Sequence, residues 1–240
     1  MPAFRARLLV SLLPAGGEKT RLSPEEAAHA RARRLRPGDA VTLLDGSGRQ
    51  ARAVLTRLDA RGGEVSVEEV LEPQAAGPPI ALFVAGLRAE RLAWIAEKAT
   101  ELGAASLSIV QTARTQSFRA SGKILERLER IVRESAKQCE ADRWPRLSGP
   151  AGFEDALAEE SFSHRLILDA SGAKFPAKLP DGGVALLVGP EGGWTEPEME
   201  SAVSRGWTPA ALPAGKLRAE TAAVAALVLA RAALERGRRD

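Results

Sequence analysis

The chain has 240 residues, of which 45% are hydrophobic and 27% are charged, and its formal net charge is +3. These fractions are typical of a globular protein and exclude a disordered or fibrous chain. The single cysteine, Cys139, excludes an intramolecular disulfide, and with only two histidines beside it we expect no metal site. No apolar run approaches about 18 residues without a charge, so we expect no membrane span and no membrane partner. The run at residues 8–13 is too short for a signal peptide, and we expect a cytoplasmic protein.

Positive charge is concentrated at the start of the chain. Residues 1–61 contain 11 arginines and one lysine against six acidic residues, whereas residues 62–72 contain four glutamates and no base. Such a segment could meet nucleic-acid phosphates, although a solvated arginine-rich surface explains the same composition. Aromatic residues make up 4% of the chain and tyrosine is absent, which disfavours RNA binding by stacking of bases on aromatic rings.

Short strands and one helix are predicted in the first part of the chain. The strands are expected at residues 41–44, 51–55 and 65–70, with a turn signal, Asp-Gly-Ser-Gly, after the first of them. The helix opens with Ser23 as N-cap, followed by Pro24 and by Glu26 at the third helical position, and it is expected to carry four basic side chains, those of His29, Arg31, Arg33 and Arg34. These elements predict a small β-barrel with one helix over residues 1–72.

A change of composition separates this part from the rest of the chain. Residues 73–79 read Pro-Gln-Ala-Ala-Gly-Pro-Pro and predict a short, stiff linker. Beyond it, strand-length apolar runs alternate with helical periodicity, which predicts an α/β domain with a mostly parallel sheet over residues 80–240. Strands are expected at residues 80–86, 106–110, 166–168, 184–188 and 208–212, and helices at residues 88–102, 123–140, 195–205 and 220–235.

A glycine-rich turn follows one of these strands. Residues 189–193 read Gly-Pro-Glu-Gly-Gly and join the apolar run 184–188 to a predicted helix opened by a capping box, Thr195-Glu196-Pro197-Glu198. Ligands of open α/β sheets bind at the carboxyl ends of strands, and glycines let the backbone approach them closely. The turn matches neither the Walker A nor the dinucleotide-binding pattern, so phosphate binding is not implied. A purely structural glycine turn stays an alternative.

A second candidate loop lies between the last strand and the last helix. Residues 212–217 read Leu-Pro-Ala-Gly-Lys-Leu, and the helix then starts with Arg218 and Glu220. Glu220 has a structural explanation, because an acidic residue interacts favourably with the dipole at a helix N-terminus. Arg218 has none, since a cation is unfavourable there unless a partner compensates it. Two such loops on one sheet indicate a ligand site.

A third candidate segment, residues 134–145, ends the long predicted helix. Its cysteine, Cys139, has no neighbouring base that would make it a nucleophile, and we expect it to be a buried small residue. His164 is expected in a loop or at the surface, and the role of His29 stays open.

The two strand-end loops carry a resemblance to a known family. Gly189-Pro190-Glu191-Gly192-Gly193, followed by Leu217-Arg218-x-Glu220-Thr221-Ala222, resembles the SPOUT-class methyltransferases, specifically the RsmE-type 16S ribosomal RNA (uridine-N3) methyltransferases. Three more stretches support it: residues 97–103 (Glu-Lys-Ala-Thr-Glu-Leu-Gly), Gln138-Cys139, and His29 with Leu35-x-Pro37-Gly38-Asp39 before Asp45-Gly46. The similarity extends in order along nearly the whole chain.

The resemblance implies a PUA-like β-barrel that contacts RNA, followed by a SPOUT domain with a deep trefoil knot. Such a knot is a rare exception to the rule that protein chains are not knotted. It also implies a homodimer that uses S-adenosylmethionine. The implied reaction is methylation of N3 of one uridine in 16S ribosomal RNA, within the assembled or nearly assembled 30S subunit.

The functional positions of the family can be carried over residue by residue. The implied cofactor-binding residues are Val188, Gly189, Pro190, Gly192, Gly193, Leu212, Pro213, Leu217, Thr221 and Ala222. Among the catalytic candidates, Arg218 and Arg114 would stabilise negative charge on the uridine carbonyl oxygens. Glu191 or a water would accept the N3 proton, or Glu191 would only order the glycine loop. The RNA-binding candidates are Arg31, Arg33, Arg34, Arg36 and Arg143.

Several positions depart from the family pattern, and three of them bear on the affinity for cofactor or RNA. Pro213 stands where glycine is usual and lacks an N–H, so a cofactor hydrogen bond from that amide would be lost. Gly215 stands where a basic residue is usual, and Ala141 where an arginine is usual. Pro213 and Ala141 motivate one alternative, a non-catalytic RNA-binding or ribosome assembly factor. A SPOUT methyltransferase acting on another RNA is the other.

Overall fold

The computed structural model describes residues 6–73, 75–115 and 122–238. The segment before Ala6, and Gln74 of the predicted linker, lie outside the described residues. The chain divides into two compact units, with the division along the sequence at Ala76/Gly77, inside the predicted linker. Residues 140–143 belong to the first unit although they follow a helix of the second. No helix in the described part of the chain is long and apolar enough to span a membrane.

The first unit contains a mixed five-stranded sheet. Its strands are β1 (Arg7–Leu9), β2 (Lys19–Leu22), β3 (Ala40–Leu44), β4 (Gln50–Asp59) and β5 (Gly62–Leu71), in the order β1-β3-β4-β5-β2. The β1–β3 pairing is parallel and the other pairings are antiparallel. The three strands predicted from the sequence are present. β1 and β2 escaped prediction because runs of three and four residues are too short to show a period of two.

The single predicted helix, α1 (Pro24–Ala32), begins as its sequence indicates. The Ser23 hydroxyl accepts a hydrogen bond from the Glu26 N–H at 3.2 Å, which satisfies one of the free amides of the first turn. The Glu26 carboxylate is buried, and its Oε2 accepts a hydrogen bond from the Leu9 N–H of β1 at 3.0 Å. The Glu26 side chain therefore fixes the start of the helix against β1, at the edge of the sheet.

The end of α1 differs from the prediction that the helix carries four basic side chains. The helix stops at Ala32, so Arg33 is its C-cap and Arg34 follows with a left-handed backbone, φ +57°. The Leu35 N–H donates to the Ala30 carbonyl and the Arg34 N–H to that of Arg31, which is a Schellman motif. Glycine is the usual residue in this conformation, because a Cβ makes it unfavourable.

The second unit is an α/β domain whose six-stranded sheet is parallel throughout. Its strands are β6 (Ile80–Ala85), β7 (Ser106–Gln111), β8 (Arg146–Gly152), β9 (His164–Lys174), β10 (Val184–Val188) and β11 (Thr208–Ala211), in the order β11-β9-β10-β6-β7-β8. Its helices are α2 (Ala89–Glu101), α3 (Gly122–Gln138), α4 (Phe153–Leu157), α5 (Glu196–Ser204) and α6 (Ala219–Gly237). The predicted fold class is confirmed, whereas the trefoil knot stays a prediction.

Burial explains which strands the sequence revealed. The central strands β6 and β10 are buried at every position, and both read as unbroken apolar runs. β8 is an edge strand that reads Arg-Leu-Ser-Gly-Pro-Ala-Gly, without apolar periodicity, and it was not predicted. The short helix α4 after it was also missed. β9 continues to Lys174, beyond its predicted apolar run, because its second part pairs with β11 after a register shift.

Helix α6 packs against α2 and the central strands through small buried residues such as Ala223, Ala226 and Ala230. Further along it, Arg231 donates from Nη1 to the Pro78 carbonyl at 3.1 Å and from Nη2 to the Gly103 carbonyl at 2.9 Å. Burial lowers the pKa of the Arg231 guanidinium, and the nearby Glu235 carboxylate opposes this shift. The side chain stays charged at physiological pH, and its two hydrogen bonds fix the end of the linker and the turn after α2.

Replacing Arg231 by leucine should lower the free energy of unfolding by about 1–3 kcal/mol, because two charge-assisted hydrogen bonds are lost. Arg236 is a suitable control, since it is exposed and makes one long contact, 3.4 Å, to the Ala177 carbonyl. Arg236→Leu should change the stability by no more than about 0.5 kcal/mol. Urea unfolding followed by circular dichroism measures both variants. Equal losses for the two variants would contradict the role given to Arg231.

Candidate active site

The two loops predicted to bind a ligand meet at one edge of the second sheet. They enclose a cavity of about 250 Å³ at the carboxyl ends of β10 and β11 and beside the middle of β9, with the start of α6 as one wall. The predicted cofactor-binding residues that line it are Val188, Gly189, Pro190, Gly193, Leu212, Leu217 and Ala222. Gly192, Pro213 and Thr221 do not line it. Pro213 is exposed, so its missing N–H removes no donor from the wall of this cavity.

The glycine loop is shaped by a tryptophan that the prediction did not use. Trp194 is 8% exposed, and its Nε1–H donates to the carbonyl of Leu168, at 2.9 Å, where β9 reaches the cavity. A Cβ on Gly189 would lie 2.9 Å from the indole ring, so only glycine fits beneath it. Gly193 has φ +71° and donates its N–H to the Pro190 carbonyl, which closes the turn.

The loop then enters α5 through the predicted capping box. The Thr195 hydroxyl accepts from the Glu198 N–H, while Glu198 Oε2 accepts from the Thr195 N–H at 2.8 Å. Glu198 is buried, and its other oxygen accepts from the Ala113 N–H at 2.7 Å. One carboxylate therefore holds both the glycine loop and the loop that follows β7, where the next residue is the catalytic candidate Arg114.

The second loop ends at Arg218, which is the N-cap of α6 and is exposed. Its side chain makes no capping hydrogen bond, and no carboxylate of the described residues forms an ion pair with it. The guanidinium therefore stands uncompensated at the positive end of a helix, as the sequence indicated. A cation in this position is free to act on a ligand.

An arginine that was not among the predicted site residues joins the two loops. Arg91 of α2 contacts Glu191 of the glycine loop through Nη1, and its Nε lies 3.7 Å from Glu220 Oε1 in the first turn of α6. The other oxygen of Glu220 is buried and has no hydrogen-bond partner among the described residues. Glu191 is thus held in an ion pair. The feature of the sequence that could have indicated Arg91 is its position in the first turn of the helix that follows β6.

A second cavity adjoins the first. It measures about 290 Å³ and is lined by Gly86, Leu87, Arg88, Arg91, Arg114, Thr115, Pro190 and Glu191. The predicted catalytic residue Arg114 lines this cavity and donates through Nη1 to the Gly192 carbonyl. Glu191 lines both cavities, whereas Arg218 lines neither. Arg114 and Glu191 are thus brought together at the glycine loop, whereas Arg218 lies at the N-cap position of α6, after the second loop.

The predicted RNA-binding arginines lie in the first unit. Arg31 donates to the Asp59 carbonyl at 2.6 Å, and Arg143 donates to the Ser47 carbonyl and forms a bridge with Ser47. Arg33, Arg34 and Arg36 are exposed, and no side-chain ion pair fixes them in the described part of the chain. Cys139, which we expected to be buried, is exposed, so that prediction is wrong. It lies one residue beyond the end of α3, where packing no longer covers it.

Comparison with known proteins agrees with this geometry. Residues 75–231 match the model of an RNA methyltransferase domain, and residues 22–68 match that of an RNA methyltransferase PUA domain. The ribosomal RNA small subunit methyltransferase E of Synechocystis is 33% identical over 85% of this chain and 70% of its own length.

Two solved structures have the same fold. A Legionella pneumophila methyltransferase in complex with bound SAM superposes with a TM-score of 0.82 at 28% identity, over 96% of this chain and 98% of that one. The ribosomal RNA small subunit methyltransferase E of Neisseria gonorrhoeae, bound to S-adenosyl methionine, gives 0.83 at 26% identity, over 95% and 98%. The resemblance inferred from the motifs is confirmed: the chain belongs to the RNA methyltransferase family that includes the ribosomal RNA small subunit methyltransferases E.

Proposed function

We propose that this chain transfers a methyl group from S-adenosylmethionine to N3 of a uridine in the 16S RNA of the small ribosomal subunit. The observation that carries the proposal is the cavity in which both family loops meet at the strand ends. Membership of the family supports the class of reaction, and the named relatives act on small-subunit ribosomal RNA. A ribosomal substrate also implies a cytoplasmic protein. The proposal includes a homodimer, which sedimentation or light scattering would test.

The cavity suits the cofactor chemically. Leu168, Val188 and Leu217 offer apolar surface to a purine ring, while the glycine loop offers backbone polar groups. Asp169, in the middle of β9, lines the cavity and was not predicted from the sequence. Its Oδ1 accepts hydrogen bonds from the N–H and hydroxyl of Ser171, which fix the carboxylate in position to accept from ribose hydroxyls. Bound S-adenosylmethionine supplies an electrophilic methyl group on its sulfonium.

Arginines at the two loops would favour the deprotonated uridine. The N3–H lies between two carbonyls, so charge released at N3 spreads to their oxygens, where a guanidinium stabilises it. Arg218 is suited to this role because no carboxylate of the described residues neutralises it, and Arg114 because its anchor on Gly192 fixes its position. The ion pair with Arg91 favours the loop-ordering role of Glu191. A water molecule would then accept the proton.

The experiment that tests the function is methyl transfer from labelled S-adenosylmethionine to small ribosomal subunits from cells that lack this gene. Free ribosomal RNA and transfer RNA are assayed in parallel. Label on the subunit, mapped to N3 of one uridine, is the expected result. Label on transfer RNA would assign another RNA, and a folded protein that labels none of the three would favour the non-catalytic assembly factor.

The arginines at the end of α1 are proposed to hold RNA phosphates, and Arg34 offers a test in which stability and binding change in opposite directions. Arg34→Gly should stabilise the fold by about 1 kcal/mol, because glycine has no Cβ and adopts the left-handed backbone without steric strain. It should also weaken RNA binding and reduce the slope of log affinity against log salt concentration by about one.

The matched control is Arg33→Gly, at a residue with φ −82°. It removes the same charge one residue earlier, so RNA binding should weaken similarly, but glycine should destabilise this position by a few tenths to about 1 kcal/mol. Thermal unfolding and RNA titration at several salt concentrations measure both quantities. If Arg34→Gly binds RNA as the wild type does, with the same salt dependence, Arg34 does not contact phosphate.

A further inference from the structure

The arginine-lined cavity lies at a special point of the sheet. β6 continues to β7 on one side, whereas its other neighbour, β10, continues to β11 in the opposite direction. The crevice between two such strands, at their carboxyl ends, is where open α/β sheets bind ligands. The cavity is formed by the residues after β6, by the glycine loop after β10, and by Arg114 after β7. The position of this cavity therefore predicts that it binds a ligand of its own, apart from the cavity proposed for the cofactor.

The charges in the cavity specify an anion. Three arginines line it, against one lining carboxylate, Glu191. Arg91 is engaged with Glu191 and Glu220, and Arg114 with the Gly192 carbonyl. Arg88 is exposed, makes no capping hydrogen bond as the N-cap of α2, and has no ion-pair partner in the described ranges. A positive charge without a partner is thus left inside the cavity.

We propose that this cavity binds a phosphodiester of the substrate RNA, adjacent to the nucleotide that is methylated. The inference rests on the proposed function, since the two cavities share Pro190 and Glu191 and a bound phosphate would lie beside the site of transfer. A phosphodiester shares one negative charge between two non-bridging oxygens, and this pair of acceptors matches the forked guanidinium donors. The methionyl end of the cofactor is a poorer ligand, because its ammonium group would face the same three arginines. Arg88 is the residue that makes the new contact.

The experiment compares Arg88→Gln with Arg88→Lys, and with Arg127→Gln as a control on the exposed face of α3. Unmodified small ribosomal subunits are titrated with each protein at several salt concentrations, in the presence of S-adenosylhomocysteine. Arg88→Gln should bind the subunits about tenfold more weakly, and the slope of log affinity against log salt should fall by about 0.7–0.9. Arg88→Lys should keep the slope, and Arg127→Gln should behave as wild type.

The cavity could hold either an RNA phosphate or the carboxylate of the cofactor, and the affinity for S-adenosylhomocysteine alone, measured by calorimetry, separates these two anions. This affinity should be unchanged in Arg88→Gln. An unchanged salt slope would overturn the proposal, and a loss of S-adenosylhomocysteine affinity with an unchanged slope would assign Arg88 to the carboxylate of the cofactor. Failure of the proposed function is recognised separately, because the wild type would then transfer no methyl group to the subunits.

Discussion

Replacing Arg218 by alanine should lower kcat about 10²–10³-fold, the usual effect of removing one donor that stabilises developing negative charge. The affinity for S-adenosylmethionine should stay close to that of the wild type, because the Arg218 side chain does not line the cofactor cavity. The loss of kcat is expected because the guanidinium at the N-cap of α6 is exposed and has no structural partner among the described residues, so that its charge is available to the substrate. Single-turnover methyl transfer and calorimetry measure the two quantities.

Arg218→Ser makes the assignment sharper. The backbone at this position, φ −71° and ψ 152°, is that of a normal N-cap, and serine caps a helix where arginine does not. The serine variant should therefore be more stable than wild type by about 1 kcal/mol while it loses the same turnover as the alanine variant. A residue retained for structure could not give this combination. Normal turnover in either variant would show that Arg218 has no role in methyl transfer.

The parts of the site that the sequence revealed are those with local signals. The glycine loop follows a buried strand, its helix opens with Thr195 and Glu198, and Arg218 is visibly out of place at a helix start. Each of these features lies within a few residues of a strand end. Parallel strands bring such ends to the same edge of the sheet, so the meeting of the two loops could also be predicted.

The parts that the sequence could not reveal depend on contacts between distant segments. Arg91 gains its role only because the sheet order places the start of α2 beside both Glu191 and Glu220. Glu198 was expected to cap α5, but its hydrogen bond to Ala113 spans 85 positions. Asp169 enters the cavity because β9 lies between β10 and β11, an order that is not fixed by the periodicity of any one strand.

Among the loop residues, Gly189→Ala should have the largest effect on cofactor binding. The added Cβ would lie 2.9 Å from Cε2 of Trp194, a distance that side chains do not tolerate, and the ring is too rigid to deform. The indole must then move, which strains its hydrogen bond to the Leu168 carbonyl and its packing on Phe153, 5.4 Å away between ring centroids. Overpacking of this kind costs about 1–3 kcal/mol of stability.

Because Gly189, Leu168 and Trp194 all line the cofactor cavity, the displacement should also weaken S-adenosylmethionine binding, by about tenfold or more if even 1.4 kcal/mol of the strain falls on the bound state. Gly215→Ala is the matched control for stability, since it lies in the second loop and its Cβ would meet no atom within 4 Å. Its free energy of unfolding should be unchanged or higher by about 0.4–1 kcal/mol. Chemical denaturation and calorimetry measure both variants. If Gly189→Ala is as stable as Gly215→Ala and binds the cofactor as the wild type does, the tryptophan does not shape the loop, and the close approach of backbone and indole has no part in building the cavity.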